Sequence, residues 1–384
     1  MLSYKFRLYP KKIQEERLLE NLELCRQTYN YFLAHWSGKN KIPSRMELQA
    51  QLPKLKVEKT ELNKVYSKVL QMVLYQLYSN LKALSQLKKN GKKAGRLRFK
   101  GKGWCKTFVY NQSGFKLIKT GKRFDILRLS KIGDIPIRVH RAVEGKIKQV
   151  IIKKHNSGKW FACVCVEKEM NVTRREPKRA VGIDVGIKHF LTDSDGRQIE
   201  NPRFYERTLE RIRVLHRNLS RKRKGSRNRE KARIKLAKAY EKLVNQRGDF
   251  LHKLSRFYVN NYDVISVENL NITGMVRNHN LAQKILDASW SKFLQMLSYK
   301  AENAGRTFLK VNPRGTSRKY KHGKLDRDYN ASLNILERGL AGLGRPFEPV
   351  EIKPLPVVIR ASVIVEAGSP FRLGGVVHGH KVSS

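Results

Sequence analysis

An excess of positive charge is the feature that most limits what this chain can fold into. Lysine and arginine total 81 residues against 32 aspartates and glutamates, which gives a formal net charge of +49 over 384 residues. A charge of this size opposes compaction by self-repulsion unless a polyanion offsets it. Nucleic acid fits best, because each phosphate neutralised by lysine or arginine releases a counterion. We therefore expect a protein that binds nucleic acid.

Hydropathy and cysteine usage limit where such a protein would work. No stretch of 18 or more apolar residues occurs, so neither a membrane span nor a membrane partner is expected. The N-terminus MLSYKFRLYPKK lacks the apolar core of a signal peptide, which favours a cytoplasmic location. No C-x-x-C pair occurs, so we expect no zinc site and interpret the four cysteines as small core residues in a reducing compartment: Cys25, Cys105, Cys163 and Cys165.

The hydrophobic period changes twice within the first 170 residues. SYKFRLYP (3–10) alternates like a short strand, and apolar residues three or four apart then predict a helical domain over 11–95. The period returns to two in short runs separated by glycine or asparagine turns, which is typical of a small antiparallel barrel. We expect residues 1–10 and 96–170 to form this barrel, with predicted strands at 3–10, 107–110, 124–129, 135–140, 148–154 and 160–167.

A polar linker, 171–179, leads into a third region over 180–343 that mixes strands with helices and carries a basic helical insertion at 206–260. Residues 217–238, which we interpret as one helix, include 11 lysines and arginines among 22 residues. This density favours a phosphate-lining surface over an ordinary solvated face, with contacts from Arg221, Lys222, Arg223, Lys224, Arg227 and Arg229. Residues 344–384 hold five of the twelve prolines and are expected to form a loosely ordered tail.

Two carboxylates lie where a solvated acid is not expected. Asp184 is in AVGIDVGIKHF (180–190), which we interpret as a continuous buried strand with one acid in its middle. Glu268 ends the apolar run in YDVISVENLNI (262–272), at the carboxyl end of a predicted strand, where sites form in open α/β sheets. An ionised carboxylate buried in such a strand needs a cation or a hydrogen-bond donor.

A third carboxylate, Asp328, lies at or near the predicted start of the helix in KLDRDYNASLNILERGL. Alone it could be an N-cap, and Asp193 and Asp195 are interpreted as ordinary turn acids. Carboxylates converging from two strands and a helix can hold two Mg²⁺ ions about 4 Å apart, which activate a water and stabilise the leaving oxygen of a phosphodiester. The residues therefore predict a two-metal nuclease site of Asp184, Glu268 and Asp328, with Mn²⁺ as an alternative metal.

Three of these segments resemble a known family. GIDVGIKHFLTDSDG, ISVENLNITGM and DRDYNASLNIL are similar, in order and spacing, to the three RuvC motifs of TnpB (OrfB) proteins, the transposon-encoded relatives of type V CRISPR effectors, and the resemblance covers about residues 1–340. It implies a multidomain α+β fold, with a wedge β-barrel and an inserted helical recognition domain followed by a RuvC-like, ribonuclease-H-like α/β nuclease domain. Asp184, Glu268 and Asp328 match the family's catalytic acids position by position.

The resemblance also implies an activity, that of an RNA-guided, Mg²⁺-dependent DNA endonuclease encoded by a transposable element. Such proteins bind a guide RNA from the transposon end, read a short motif beside the double-stranded target and open the duplex for guide pairing. Gln71 and Thr107 lie on segments similar to the motif-reading surfaces. Tyr29, Phe32 and Trp36 could stack on bases, but their helical spacing favours core packing.

One departure from the family is large. TnpB proteins usually carry a four-cysteine zinc ribbon between the motif DPRxTS and the third acid. Here NPRGTS (312–317) leads through RKYKHGKL to Asp326 without a cysteine. Two alternatives to guided cleavage therefore stay open. One is a guided DNA-binding regulator with weak or no cleavage, and the other is an unguided transposase or nuclease.

The net charge makes a first prediction. Binding to RNA or DNA should weaken steeply as salt rises, because the logarithm of the binding constant falls in proportion to the number of phosphates contacted. For roughly six to ten contacts, affinity falls about 10³- to 10⁵-fold between about 50 and 200 mM salt. Fluorescence anisotropy of labelled RNA and DNA across this range measures the slope, and a flat salt response would contradict the polyanion argument.

Overall fold

The computed structural model describes residues 1–36, 43–169, 177–317, 325–344 and 357–361. The chain divides into two compact units, Met1–Glu169 and Met170–Ser384. Each unit has a hydrophobic core of its own. The protein is therefore a multidomain mixture of helices and sheets, as expected, while the finer domain boundaries drawn from the sequence stay predictions.

The first unit is built on a seven-stranded antiparallel, barrel-like sheet in the order β2-β6-β7-β1-β5-β4-β3. The N-terminal strand lies between β7 and β5, so the helical segment that follows it is inserted between strands of one sheet. All six predicted strands of this unit are present, and β3 is a seventh that the sequence did not predict. The strands are β1 (Leu2–Leu8), β2 (Thr107–Asn111), β3 (Phe115–Ile118), β4 (Asp125–Leu129), β5 (Gly133–Arg138), β6 (Lys146–Lys154) and β7 (Trp160–Glu167).

Between β1 and β2 the described residues, 9–36 and 43–106, form four helices, and α1 and α4 pack against each other and against β2. Tyr29 and Phe32 of α1 are 3% and 0% exposed, which confirms core packing and leaves them no face for a base. The side chain of Trp36 lies outside the described residues. The helices are α1 (Lys12–Trp36), α2 (Arg45–Ala50), α3 (Leu52–Glu58) and α4 (Ser67–Lys89), with a 3₁₀ turn at Thr60–Lys64.

The second unit contains a six-stranded sheet in the order β12-β11-β8-β9-β10-β13. Its strands are β8 (Ala180–Val185), β9 (His189–Asp193), β10 (Arg197–Glu200), β11 (Val264–Glu268), β12 (Thr307–Val311) and β13 (Val357–Ile359). β8, β9 and β10 are antiparallel neighbours, whereas β11 runs parallel to both β8 and β12. Because the parallel strands end at one edge of the sheet, their last residues are brought together.

The helices of the second unit are α5 (Phe204–Ser220), α6 (Arg227–Asn261), α7 (Ile272–Met275), α8 (His279–Ala288), α9 (Trp290–Asn303) and α10 (Arg327–Ala341). α6 packs against both α5 and α9, and α10 packs on β8. Within the described ranges of the chain, no helix is both long enough and apolar enough to span a membrane.

Residues 180–190 are not the continuous strand that their apolar character predicted. β8 ends at Val185 and β9 begins at His189, and the Gly186 N–H donates to the carbonyl of Phe190 across the reversal (3.3 Å). A Cβ at Gly186 would lie 3.0 Å from the His189 carbonyl oxygen, so glycine leaves room for this tight turn. Asp184 consequently lies near the end of a strand instead of in the middle of one.

The basic segment 217–238 is likewise not one helix. α5 ends at Ser220 and α6 begins at Arg227. Gly225 adopts a φ of +83°, and the Ser226 hydroxyl caps α6 by accepting from the backbone N–H of Arg229 (3.1 Å). The left-handed glycine and the serine cap together form a turn inside the charge run.

The tail, 344–384, is not wholly loose. Residues Val357–Ile359 pair in parallel with β10, and the backbone N–H of Ala361 donates to the Glu200 carboxylate (2.9 Å). Ala361 is 3% exposed. The five prolines on which the prediction rested lie outside the described residues.

Helix α10 rests directly on the sheet at two glycines. A Cβ at Gly182 of β8 would lie 2.1 Å from the Ser332 carbonyl oxygen and 2.6 Å from the Leu336 nitrogen. A Cβ at Gly339 of α10 would lie 1.9 Å from the Ser266 Oγ. Gly182, two residues before Asp184, therefore permits the backbone of α10 to approach the strand.

This contact makes a second prediction. Gly182→Ala should lower the free energy of unfolding by about 1–3 kcal/mol, because the backbone of α10 must move to admit a methyl group. Gly342→Ala, at the end of the same helix, is the control: its nearest neighbours are 3.5 Å away and its φ is −64°, so stability should change little. Denaturant unfolding compares the two variants, and equal stabilities would show that α10 is not packed as described.

Candidate active site

Two of the predicted acids lie side by side at one edge of the sheet. β8 and β11 are parallel neighbours with Ile183 opposite Val267, so the next residues, Asp184 and Glu268, share a face at the carboxyl ends of both strands. Asp184 is half-buried and Glu268 is 8% exposed. This is the edge at which sites form in sheets with parallel strands.

The third acid comes from the first turn of α10. The N-cap is Asp326, whose Oδ1 accepts from the backbone N–H groups of Asp328 and Tyr329, at 3.1 Å each. The capping role that the sequence left open for Asp328 therefore belongs to Asp326. The Oδ2 of Asp328 lies 4.0 Å from the position that a Cβ on Gly186 would occupy, so this carboxylate faces the hairpin that follows Asp184.

Asp184 lies close enough to the other two carboxylates for their charges to act on it. Burial raises the pKa of Asp184 well above its usual range, and the negative charges of Glu268 and Asp328 raise it further, while the charge of Arg327 opposes them. Burial also raises the pKa of Glu268, opposed by a hydrogen bond from Thr316. The cluster thus holds more negative charge than its surroundings neutralise, and a bound cation would relieve that excess.

The chemistry of the three carboxylates indicates which metal they could hold. Across the described part of the chain, no group of three or more His, Cys, Asp or Glu side chains stands ready to hold a metal ion. The set of three carboxylates nevertheless fits a hard divalent cation such as Mg²⁺ or Mn²⁺, because all its donors are carboxylate oxygens.

Thr316 is a candidate that the sequence analysis did not single out. It is 1% exposed, and its hydroxyl donates to Oε1 of Glu268. This bond lowers the pKa of the Glu268 carboxyl, opposing the effect of burial, and holds the carboxylate in one orientation. Thr316 belongs to the motif NPRGTS (312–317), and this motif is the sequence feature that could have indicated its role.

The loop that carries Thr316 is fastened to α10. The side-chain amide of Asn334 donates to the Thr316 carbonyl (2.8 Å). The Arg338 guanidinium donates to the carbonyls of Asn312 (2.6 Å) and Arg314 (3.0 Å). The same helix therefore supplies Asp328 directly and positions Glu268 through this loop.

Asp193 and Asp195 lie in the turn that the sequence predicted, where Oδ1 of Asp193 accepts from the backbone N–H groups of Asp195 (3.1 Å) and Arg197 (2.9 Å), and both acids also join a wider hydrogen-bond network. Asp193 is fully buried and accepts from the Tyr258 hydroxyl (2.9 Å) and the Arg197 guanidinium (3.1 Å). Asp195 accepts from the same guanidinium (3.1 Å) and from the Tyr262 hydroxyl. The network ties the β9–β10 hairpin to α6, and we assign it a structural role.

The six basic residues predicted to contact nucleic acid lie at the turn between α5 and α6. Arg229 is half-buried, and its guanidinium donates to the carbonyls of Leu219 and Lys222 at 2.9 Å each, so it holds the turn together. The other five are exposed, and contact with phosphates stays a prediction for Arg221, Lys222, Arg223, Lys224 and Arg227.

The two predicted readers of the target-adjacent motif lie in the first unit. Gln71 is exposed on α4, and Thr107 is exposed as the first residue of β2. α4 packs on β2, where the Tyr66 ring stacks on Tyr110 with centroids 5.8 Å apart. The two residues thus belong to adjoining elements, and their contact with DNA stays a prediction.

Three family models match parts of the chain. Residues 163–279 match the OrfB model described as "Probable transposase". Residues 1–39 match one described as "Helix-turn-helix domain", although the described residues there, 1–36, form one strand and one helix. Residues 290–335 match one described as "Cas12f1-like, TNB domain".

Relatives match over most of the chain. A protein of Streptomyces pristinaespiralis named "Putative RNA-guided DNA endonuclease" is 31% identical over 372 residues, covering 88% of this chain and 89% of that protein. "Putative RNA-guided DNA endonuclease InsQ" of Escherichia coli (strain K12) is 28% identical over 404 residues, covering 91% and 98%. A solved structure, "Cryo-EM structure of the Cas12f1-sgRNA-target DNA complex", covers 84% of this chain and 81% of its own, at 12% identity and a TM-score of 0.49.

The clustered charge makes a third prediction. Asp184→Asn should raise the thermal midpoint of the metal-free protein at neutral pH, because it removes a charge that burial and two carboxylates disfavour. In a domain of this size, each 1 kcal/mol gained shifts the midpoint by roughly 2–4 °C. Mg²⁺ should stabilise the wild type and much less the variant. Calorimetry with a chelator and then with excess Mg²⁺ measures both effects.

The sign of the pH dependence follows from the same shift. A carboxyl whose pKa is raised by folding binds a proton more tightly in the folded state, so metal-free wild type should gain stability as pH falls through that folded-state pKa. Asp184→Asn should lose this gain. Asp249→Asn, which removes a half-exposed surface acid, should behave like wild type in every condition. A wild-type response of Asp184→Asn to both Mg²⁺ and pH would rule out the charge cluster.

Proposed function

Because this chain belongs to the TnpB (OrfB) family, we propose that it is an RNA-guided DNA endonuclease encoded by a transposable element. The relatives from Streptomyces pristinaespiralis and Escherichia coli are named for that activity, and they match along most of their length. The proposed partners are a guide RNA from the transposon end and double-stranded target DNA. The net charge of +49 supports polyanionic partners independently of the family.

The sheet of the second unit supports a RuvC-like, ribonuclease-H-like catalytic domain. Three antiparallel strands, β8 to β10, are continued on the other side of β8 by the parallel strands β11 and β12. This order places the first strand of the unit inside the sheet and its acid at the carboxyl edge. Helix α10 covers β8 and adds its own acid at the same edge.

The observation that carries the proposal is the position of three carboxylates, from β8, β11 and α10, near one edge of the sheet. The pKa of Asp184 responds to both Glu268 and Asp328, so the three charges share one small region. We assign them as the ligands of divalent metal, with two Mg²⁺ ions as the simplest set and Mn²⁺ as the alternative. When bound, such ions supply an activated water and stabilise the charge that develops on a leaving phosphodiester oxygen.

The chain's own contribution is to orient the carboxylates. Thr316 holds Glu268 by a hydrogen bond, so that its oxygens are presented in one direction. Asp326 takes the N-cap of α10, which leaves the Asp328 side chain facing the β8–β9 hairpin. We propose that the exposed basic residues of the α5–α6 turn bind phosphates, and their charge and exposure support this.

A second candidate function is a guided DNA-binding regulator that cuts weakly or not at all. It is favoured by the stretch between Ser317 and Asp326, which contains no cysteine and therefore no zinc ribbon of the family's usual kind. It is disfavoured by the support given to Glu268, because a protein that only binds has no evident need for a buried carboxylate held by a threonine.

The fourth prediction tests the catalytic assignment. The protein is purified with its co-expressed RNA, the RNA is sequenced, and a matched duplex flanked by randomised bases is offered with Mg²⁺. Asp184→Ala should slow cleavage by roughly 10⁴-fold, the scale on which removing one catalytic side chain acts. RNA binding should be unchanged. A chelator should abolish cleavage by wild type, and added Mg²⁺ or Mn²⁺ should restore it.

The control and the alternatives are read in the same assay. Asp249→Asn should cleave like wild type, because this acid lies on the surface of α6. Undiminished cleavage by Asp184→Ala would refute the site. Guide-dependent binding without cleavage would favour the regulator, and cleavage that ignores guide complementarity would favour an unguided nuclease or transposase.

A further inference from the structure

The segment that joins α4 to β2, residues 90–106, displays two large aromatic side chains to solvent. Phe99 is 58% exposed and Trp104 is 77% exposed. The other tryptophans whose side chains are described, Trp160 and Trp290, are each 2% exposed. We call this segment the aromatic loop. Its two rings lie within a stretch of sequence that is rich in lysine, arginine and glycine.

The aromatic loop is held in place between its two exposed rings. Asn30 of α1 binds the backbone of Lys100 twice, accepting from its N–H (2.8 Å) and donating to its carbonyl (2.9 Å). The Arg26 guanidinium donates to the same carbonyl (2.9 Å). The Lys100 ammonium lies 3.7 Å from the centroid of the buried Tyr29 ring. These contacts fix the backbone from which Phe99 and Trp104 project.

The indole of Trp104 is itself placed. Its Cδ1 and Nε1 each lie 3.3 Å from the position that a Cβ on Gly101 would occupy. The backbone N–H of Trp104 donates to the Gly101 carbonyl (3.1 Å), closing a turn. The glycine leaves space for the ring to lie against the loop backbone, while most of the indole surface remains open to solvent.

The charged residues of the segment itself all have one sign. Residues 88–106 contain nine lysines and arginines and no aspartate or glutamate. Seven of the nine are exposed: Lys88, Lys89, Lys92, Lys93, Arg96, Arg98 and Lys102. Cationic side chains interleaved with open aromatic faces suit a strand of unpaired nucleotides, since the cations contact phosphates and the rings stack on bases.

We propose that the aromatic loop is a stacking platform for unpaired bases, with Phe99 and Trp104 as the stacking rings and the flanking basic residues on the phosphates. The proposal deepens the proposed function and rests on its nucleic-acid binding, but not on its catalytic site. A paired duplex buries its base faces within the helix and offers them only at its ends. Stacking therefore discriminates single strands from duplexes, whereas charge alone does not.

The test measures the affinity of the full-length protein for three labelled probes: an oligouridylate, an oligodeoxythymidylate and a duplex DNA of the same length. Trp104→Ala should weaken binding of at least one single-stranded probe by about 5- to 100-fold, which is the range for losing one stacked base. Duplex affinity should not change. The single-stranded probe that loses more affinity identifies RNA or DNA as the source of the unpaired bases.

Matched variants separate stacking from charge and from apolar surface. Trp104→Phe should bind like wild type, because it keeps an aromatic face. Lys102→Ala should weaken single strand and duplex alike and reduce the salt slope by about one. Leu87→Ala, which removes a 40% exposed apolar side chain near the end of α4, should have no effect. At about 1 M salt, where the Debye length is roughly 3 Å, the difference between Trp104→Ala and wild type should persist.

Two results would overturn the proposal. One is wild-type affinity of Trp104→Ala, and of the double variant with Phe99→Ala, for both single-stranded probes. The other is an equal loss of affinity for single strand and duplex. Both rings are exposed, so the variants should fold, and thermal unfolding checks this. Binding to these probes requires no cleavage, so failure here and failure of the guided-cleavage assay are distinguishable.

Discussion

The contact between α10 and β8 is the interaction on which the arrangement of the three carboxylates in the second unit depends. Gly182 lets the helix backbone rest directly on the strand, and Gly339 does the same over β11. That one placement presents Asp328 at the carboxyl edge of the sheet. It also anchors the loop of Thr316 through Asn334 and Arg338, and so orients Glu268. A side chain at Gly182 that moved α10 away from the sheet would therefore displace both Asp328 and the loop that orients Glu268.

Asp193 and Asp184 belong to the same unit but lie in different electrostatic surroundings. Asp193 receives hydrogen bonds from an arginine and a tyrosine, although burial still raises its pKa. Asp184 instead lies among two further carboxylates, and the charge of Arg327 offsets only part of their effect. The first arrangement stabilises the hairpin it belongs to. The second costs stability in the metal-free protein, and such a cost is expected where function, not folding, selects the residues.

The positive charge of the chain is not uniform in its role. The guanidinium groups of Arg26 and Arg229 both donate to main-chain carbonyls, and each of these contacts fixes the backbone of a basic loop. The exposed lysines and arginines of those loops project from backbones that are already ordered. Some basic residues of the chain therefore stabilise the loop backbones, and others remain exposed on the surface of those loops. The basic residues that remain available for phosphates are therefore fewer than the total count suggests, and preorganised loops lose less entropy on binding.

Local pattern was enough to predict six strands of the first unit, the helical segment inserted after β1, the carboxyl-end position of Glu268 and the approximate start of α10, because periodicity and strand ends depend on neighbouring residues. The sequence alone also determined that the partner is polyanionic and that three acids share a family pattern. Only tertiary structure decided that the chain reverses at Gly186, that Asp326 and not Asp328 caps α10, that Thr316 meets Glu268 and that residues 357–359 pair with β10. Most of these features depend on residues that are distant in sequence and are brought together by folding. The N-cap depends on a choice between two equally suitable aspartates, and hydrophobic periodicity does not encode either kind of information.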